Sequence, residues 1–297
     1  MSNAGNIRLA VNGQQLAASC TLPEMLAYFS TLGVNALEIW PANLSGGAGS
    51  EEQERYEAKD VASASRLIQE SGFCVAAVTL GYWAAPISFS RGGRSAFTSA
   101  LRGAIDAALI FGASIVNCYS AGISMRLFAE AIQPAAEYAE RHGVVITLEN
   151  EAHDESGVPH AVAAIVEDVA SAGFATLFDP CNYYHAWQEP FPYAYEVISK
   201  HIRYVHLKGG CLYPELPSGG YPLHQGSLMR DSRHQHIGYV PLPHAAFPVE
   251  AVVRQLIRNG YHGFITLEPH VPTELLPAFY AAEVPYLQAL LGDAKVE

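Results

Sequence analysis

The sequence predicts a (β/α)8 TIM barrel. Three observations lead there: a recurring helix–glycine–strand rhythm, strands that are near-continuous apolar runs, and eight such strands along 297 residues. Glycine just past a helix end supplies the left-handed backbone that lets the chain turn into the next element. Gly33, Gly72, Gly112, Gly143 and Gly173 each directly precede a short apolar run, and Gly260 stands just ahead of Gly263-Phe264-Ile265-Thr266-Leu267-Glu268. Strands apolar throughout are buried on both faces, as parallel strands are beneath a coat of helices. The early glycines recur at the length of a βα unit.

Taken in order, the first strand is Ile7 to Val11, and Thr21-Leu22-Pro23-Glu24 is a capping box opening the first helix. Strands follow at 34–40, 73–79, 113–117, 144–149, 174–179, 202–207 and 263–268. Helices are predicted over 51–71, 95–111, 124–142, 159–172, 191–200, 247–259 and 273–291. Gly92-Gly93-Arg94 could cradle a phosphate at a helix start, but Ser95 as an ordinary N-cap is the simpler reading. His142 complements the dipole at a helix end. An open doubly wound sheet is the competing architecture, and no GxGxxG follows any strand to support it. The whole chain, 1–297, is read as one barrel domain with one anomaly. Between strand seven and the next helix lies a long Gly-, Pro-, His- and Tyr-rich loop, 209–246, expected to cover the catalytic face and to order further on ligand binding.

Half of the residues are hydrophobic, and 17 basic residues stand against 29 acidic ones for a net charge of −12. That balance argues against a protein built to grip phosphate backbones. The five cysteines lack CxxC spacing and read as reduced thiols, which with a polar N-terminus and no apolar span suggests the cytoplasm. The expected partner is a small molecule, with no nucleic acid and no membrane, and a homo-oligomer left open.

The chemistry gathers where strands end. Strands five to eight terminate at or next to Glu149, Asp179, His206 and Glu268. Four neighbouring strands of a barrel deliver these side chains to one rim. Three crowded carboxylates repel one another, and a divalent cation relieves the repulsion. Three oxygens and one imidazole suit Mn²⁺ first, with Mg²⁺, Co²⁺ or Zn²⁺ as alternatives. Coordination positions would remain open for substrate oxygens.

Glu149-Asn150, Asp179-Pro180-Cys181-Asn182, His206-Leu207-Lys208 and Leu267-Glu268, with Leu37-Glu38-Ile39-Trp40 as a second strand, resemble the signatures of the xylose isomerase-like TIM-barrel superfamily. The resemblance covers nearly the whole chain. It implies metal ligands at Glu149, Asp179, His206 and Glu268, with Glu149 and Glu268 also moving protons, as in tagatose/psicose 3-epimerase-like members. The implied activity is a sugar or polyol-ketone isomerase or epimerase working through an enediolate. The alternative is a lyase on the same scaffold: an inosose- or dehydroshikimate-type dehydratase, or a C-glycoside-cleaving enzyme. A non-catalytic metal-binding subunit is a third reading. Endonuclease IV-like members and such epimerases place a histidine three residues after the aspartate, where this chain has Asn182. A trinuclear nuclease site is therefore not expected, and Asn182 is carried as a substrate-facing residue.

Further substrate-binding candidates are His185, Lys208, Trp83, Arg233 and His234. Lys208 could meet a substrate oxygen or pair with a rim carboxylate. His185 could bond a substrate hydroxyl or be structural. Trp83, with Tyr82 and Trp40, could floor a sugar site or pack in the core. Arg233-His234 resembles the stretch that faces the substrate in the family.

Overall fold

The computed structural model describes residues 7–44, 56–80, 91–120, 123–213, 221–222 and 236–293. Eight parallel strands close a barrel: β1 (Ile7–Asn12), β2 (Ala36–Ile39), β3 (Cys74–Thr79), β4 (Ile115–Cys118), β5 (Val145–Glu149), β6 (Phe174–Phe178), β7 (Ile202–Leu207) and, last in the chain, β11 (Gly263–Leu267). β11 pairs with both β1 and β7, which shuts the ring. The helices are α1 (Leu22–Thr31), α2 (Ala58–Glu70), α3 (Arg91–Phe111), α4 (Met125–Arg141), α5 (Pro159–Val169), α6 (Pro180–His185), α7 (Tyr195–Ile198), α8 (Val249–Arg258) and α9 (Leu276–Asp293). None of them is long and apolar enough to cross a membrane.

Side-chain alternation along each strand divides the core in two. Outward residues such as Val11, Leu37, Val78 and Val116 pack under the helices. Inside the barrel, Ala10, Ala36, Ala76 and Ala77 leave room for Leu177 and Tyr204. The turns out of the helices follow the glycine reading, with Gly112 and Gly143 at φ +71° and +69°. Gly173 serves a different end. α5 already stops at Ala170 in the left-handed region, and a Cβ on Gly173 would meet the backbone oxygen of Ala136 at 2.2 Å. The capping box forms, Thr21 N–H donating to Glu24 Oε2 at 2.9 Å.

Several elements depart from expectation. α3 begins at Arg91, so Ser95 lies inside the helix and does not cap it. The helix expected at 191–200 is broken by its prolines into a wide turn at Pro190–Ala194, short α7, and a 3-10 turn at Ser199–His201. α6 follows Asp179 directly, too short for a period to register in sequence. The largest difference is in 209–246, expected as a loop. It contains β8 (Gly209–Tyr213), β9 (Tyr221–Pro222) and β10 (His236–Val240), which pair antiparallel in the order β8-β10-β9. A 3-10 turn at Leu242–His244 then leads toward α8. Gly209 permits this sheet, since a Cβ there would strike the Val240 backbone oxygen at 2.1 Å.

Candidate metal centre at the carboxyl end of the barrel

Each barrel strand ends its apolar run with polar side chains, and those of β1, β2, β3, β4, β5 and β7 are buried: Asn12, Glu38, Thr79, Asn117, Glu149 and His206. Asp179 and Glu268 follow β6 and β11 directly and are buried with them. One ligand-competent atom from each of Glu149, Asp179, His206 and Glu268 lies within 4.8 Å of those of the others.

Hydrogen bonds aim these groups. Glu149 uses Oε2 to accept from Asn117 Nδ2 at 2.9 Å, which turns Oε1 toward His206 Nδ1 at 3.4 Å. Glu268 accepts from Asn12 Nδ2 on Oε1 at 2.9 Å and presents Oε2 to His206 Nδ1 at 3.2 Å. Asp179 caps α6, its Oδ1 accepting from the Cys181 and Asn182 amides at 2.8 and 3.0 Å. Its Oδ2 is left for the Lys208 ammonium, 2.6 Å away. His206 turns Nε2 to Glu38 Oε2 at 2.6 Å. Each carboxylate therefore has one anchored oxygen and one that faces the cluster.

Charge in this space is strongly coupled. Burial alone would lower the His206 pKa, but Glu38, Glu268 and Glu149 hold it well above the usual histidine range. Lys208 behaves alike: burial opposes its charge, and Asp179, Glu268 and Glu149 keep it firmly protonated. Burial, aided by Glu149 and Glu268, raises the Asp179 carboxyl against the pull of Lys208. Burial would raise Glu268 too, yet Lys208, His206 and His270 take it well below the carboxylate range. Glu151, two residues past Glu149, is pushed well up by burial and by Glu149.

The residues fit a divalent cation. With Nε2–H bonded to Glu38, a neutral His206 would point its Nδ1 lone pair at two carboxylates. That atom is buried and has no hydrogen-bond partner. Asp179 Oδ2 likewise accepts no hydrogen bond and has only the ion pair to Lys208. A hard cation met by three carboxylate oxygens and one imidazole nitrogen resolves both.

The softer candidates separate. Lys208 takes the ion-pair option, 2.6 Å from Asp179 and 2.7 Å from Glu268. Asn182 donates to the Asn150 carbonyl at 2.8 Å and toward Glu149 at 3.4 Å, so it braces the cluster. His185 is buried on α6, near Cys181 Sγ and edge-on to Tyr239, and burial takes its pKa down to about 3. Trp40 packs in the core against Tyr119. Trp83, Arg233 and His234 lie outside the described residues. Sequence reasoning missed Asn12, Glu38, Thr79 and Asn117 as members of the cluster. The signal was present, since each is a polar residue at or next to the end of an apolar strand. It also missed His270, whose Nε2 lies 3.3 Å from Glu268, and Tyr239, which β10 carries over the site beside His270 and Lys208.

Comparison with known proteins agrees with this architecture. No curated protein matches the chain by sequence. Among solved structures, a xylose isomerase-like TIM barrel protein from Mycobacterium smegmatis in complex with magnesium superposes with a TM-score of 0.72 at 15% identity, covering 99% of both chains. The probable 3-DHS dehydratase AsbF from Bacillus anthracis gives 0.70 at 12% identity over 95% of this chain and 99% of that one. An L-ribulose 3-epimerase gives 0.68 at 16% identity over 97% and 96%. At such identities these likenesses speak for the fold. The family model described as "Xylose isomerase-like TIM barrel" matches residues 26–290, and with the closed barrel already established the chain belongs to that family.

Proposed function

We propose that this protein is a divalent-metal-dependent isomerase or epimerase of a sugar or related polyol-ketone, working through an enediolate. The carrying observation is the convergence of Glu149, Asp179, His206 and Glu268, each turning one ligand-competent atom toward a shared point. Those four residues would hold the ion, Mn²⁺ by preference from the donor set, with Mg²⁺, Co²⁺ or Zn²⁺ as alternatives. When bound, it supplies Lewis acidity that makes the C–H beside a substrate carbonyl easier to ionise.

The protein's own groups do the rest. Glu149 and Glu268 come from β5 and β11, on either side of the strands that carry Asp179 and His206. A ketone lying between them meets a carboxylate from each side, so one removes the proton and the other can return it on the opposite face. Lys208 and His270 stand against the Glu268 carboxylate and balance its charge. Tyr239 on β10 is buried beside His270 and His185 and adds an apolar ring to this side of the site. In the family's epimerase-like reading the product differs from the substrate only at the carbon that was deprotonated.

A lyase of the dehydratase type is the second reading. It is favoured by Glu151, a further carboxyl near the rim whose pKa burial and Glu149 push well up, the direction that suits a group giving a proton to a departing hydroxyl. A panel of ketoses, inososes and dehydroshikimate-type acids incubated in D₂O with Mn²⁺ or Mg²⁺ separates the two. Deuterium uptake beside the carbonyl with the skeleton intact is the isomerase result, and loss of water with a new conjugated C=C is the lyase result. A protein that binds the metal yet catalyses neither on any panel member would favour the non-catalytic subunit.

A further inference from the structure

Glu38 is buried at the end of β2, across the barrel from β7. Both of its oxygens are fully engaged. Oε1 accepts from Thr79 Oγ1 at 2.6 Å and from Asn12 Nδ2 at 3.1 Å. Oε2 accepts from the Tyr204 hydroxyl at 2.8 Å and faces His206 Nε2 at 2.6 Å. A carboxylate with four donors has no lone pair left to reach the barrel mouth, so Glu38 is neither a cation ligand nor a base for substrate. Of the four converging residues it touches His206 directly, and it reaches Glu268 only through the shared Asn12 amide.

An imidazole carries one proton when it ligates a cation, and the partner of the other nitrogen decides which nitrogen that is. Glu38 can only accept, so it stabilises the proton on Nε2 and leaves Nδ1 bare. Nδ1 is the atom that faces Glu149 and Glu268. The Tyr204 ring, 5.3 Å from the imidazole and edge-on at 69°, resists ring rotation, and its hydroxyl is held between Glu38 and Thr266. We infer that Glu38 is a positioning residue that locks His206 in the Nε2–H tautomer and so makes its Nδ1 the fourth ligand atom of the centre. The inference rests on the metal reading above and deepens it: the centre is assembled from both sides of the barrel, β2 contributing no ligand but determining one.

Mn²⁺ affinity measured by calorimetry on wild type, Glu38→Gln, His206→Gln and the double variant tests it. Loss of an outer partner of a ligand histidine typically costs about 10–100-fold in metal affinity. Glu38→Gln is expected to lose that much from wild type. In the His206→Gln background the same change should cost no more than about twofold, because the route through His206 is gone. A Glu38→Gln protein that binds Mn²⁺ like wild type overturns the inference and leaves the metal reading intact. Equal losses in both backgrounds also overturn it, since Glu38 would then act by charge or folding alone. A wild-type protein that binds no Mn²⁺ overturns both. Nitrogen-15 NMR of wild type loaded with diamagnetic Mg²⁺ answers even where Glu38→Gln does not fold. His206 should show a proton on Nε2 and a bare Nδ1, and the opposite tautomer ends the proposal.

Discussion

Glu149 and Glu268 each give one oxygen to an asparagine amide and keep the other for the cluster. Their glutamine variants test the two roles proposed for them. An amide still offers an oxygen to a cation but cannot take a proton. Each is expected to retain metal at raised concentration and to lose about 10²–10⁴-fold in C–H exchange or turnover. Rates compared at saturating Mn²⁺ check this, and wild-type rates in both would move the base elsewhere. Lys208 carries the other residue-scale prediction. Its ammonium is buried among Asp179, Glu268 and, at 3.9 Å, Glu149. Removing one member of a buried ionic network typically costs about 3–5 kcal/mol. Lys208→Met should therefore melt well below wild type in EDTA. Added Mn²⁺ should raise its Tm more than that of wild type, because the cation supplies the missing positive charge. An unchanged melting temperature in EDTA would show that Lys208 does not balance the cluster.

At the scale of elements, the sheet β8-β10-β9 continues straight from the carboxyl end of β7 and brings Tyr239 beside His270 and His185. Its attachment depends on two glycines. At Gly209 a Cβ would lie 2.1 Å from a backbone oxygen, which cannot yield without moving β10. At Gly210 it would meet Cys181 Sγ at 2.6 Å and His185 Nε2 at 2.8 Å, where side chains can shift in part. Overpacking of this kind costs about 1–3 kcal/mol. Gly209→Ala is expected to lower Tm by more than Gly210→Ala, and to raise hydrogen exchange in Gly209–Tyr213 and His236–Val240 while the barrel strands stay protected. Equal protection in wild type and Gly209→Ala would mean the close approach is not needed.

At the scale of the whole molecule, the last helix packs against the 3-10 turn that follows the same sheet. Glu283 on α9 accepts from the Leu242 backbone amide at 3.1 Å, just after β10, and its Oε2 has no hydrogen-bond partner. Burial raises its carboxyl to about 8, with the Leu242 bond pulling slightly the other way. The folded protein thus holds a proton that the unfolded chain, titrating near the ordinary 4.5, has lost. This contribution to stability is complete below about pH 4.5, falls as pH rises, and is exhausted once pH passes about 8. Thermal unfolding across pH 5 to 8 should show a smaller decline for Glu283→Gln than for wild type, with the variant gaining most at the alkaline end. Parallel curves would show that Glu283 is ionised in the folded protein.

Much of this was legible in the linear chain. Apolar runs, turn glycines and the capping box are local signals, and eight parallel strands with in-register ends bring their terminal residues to one rim. That is why Glu149, Asp179, His206 and Glu268 form a recognisable group in the linear chain. Their grouping needed only neighbouring strands. Glu38 with His206, by contrast, joins residues 168 positions apart across the lumen, and only barrel closure determines which inward side chains meet. The choice of Lys208 between substrate and carboxylates was likewise open in sequence, because it depends on where three other strands place their charges. The region 209–246 read as loop because its strands are short, rich in glycine and held by pairing with each other and packing on α6, a stabilisation that no local periodicity records. The sequence by itself determined the barrel and the identity of the four metal-competent side chains that converge on its rim. The tertiary structure alone decided which atom of each one faces the centre, since hydrogen-bond partners contributed by distant strands set those orientations.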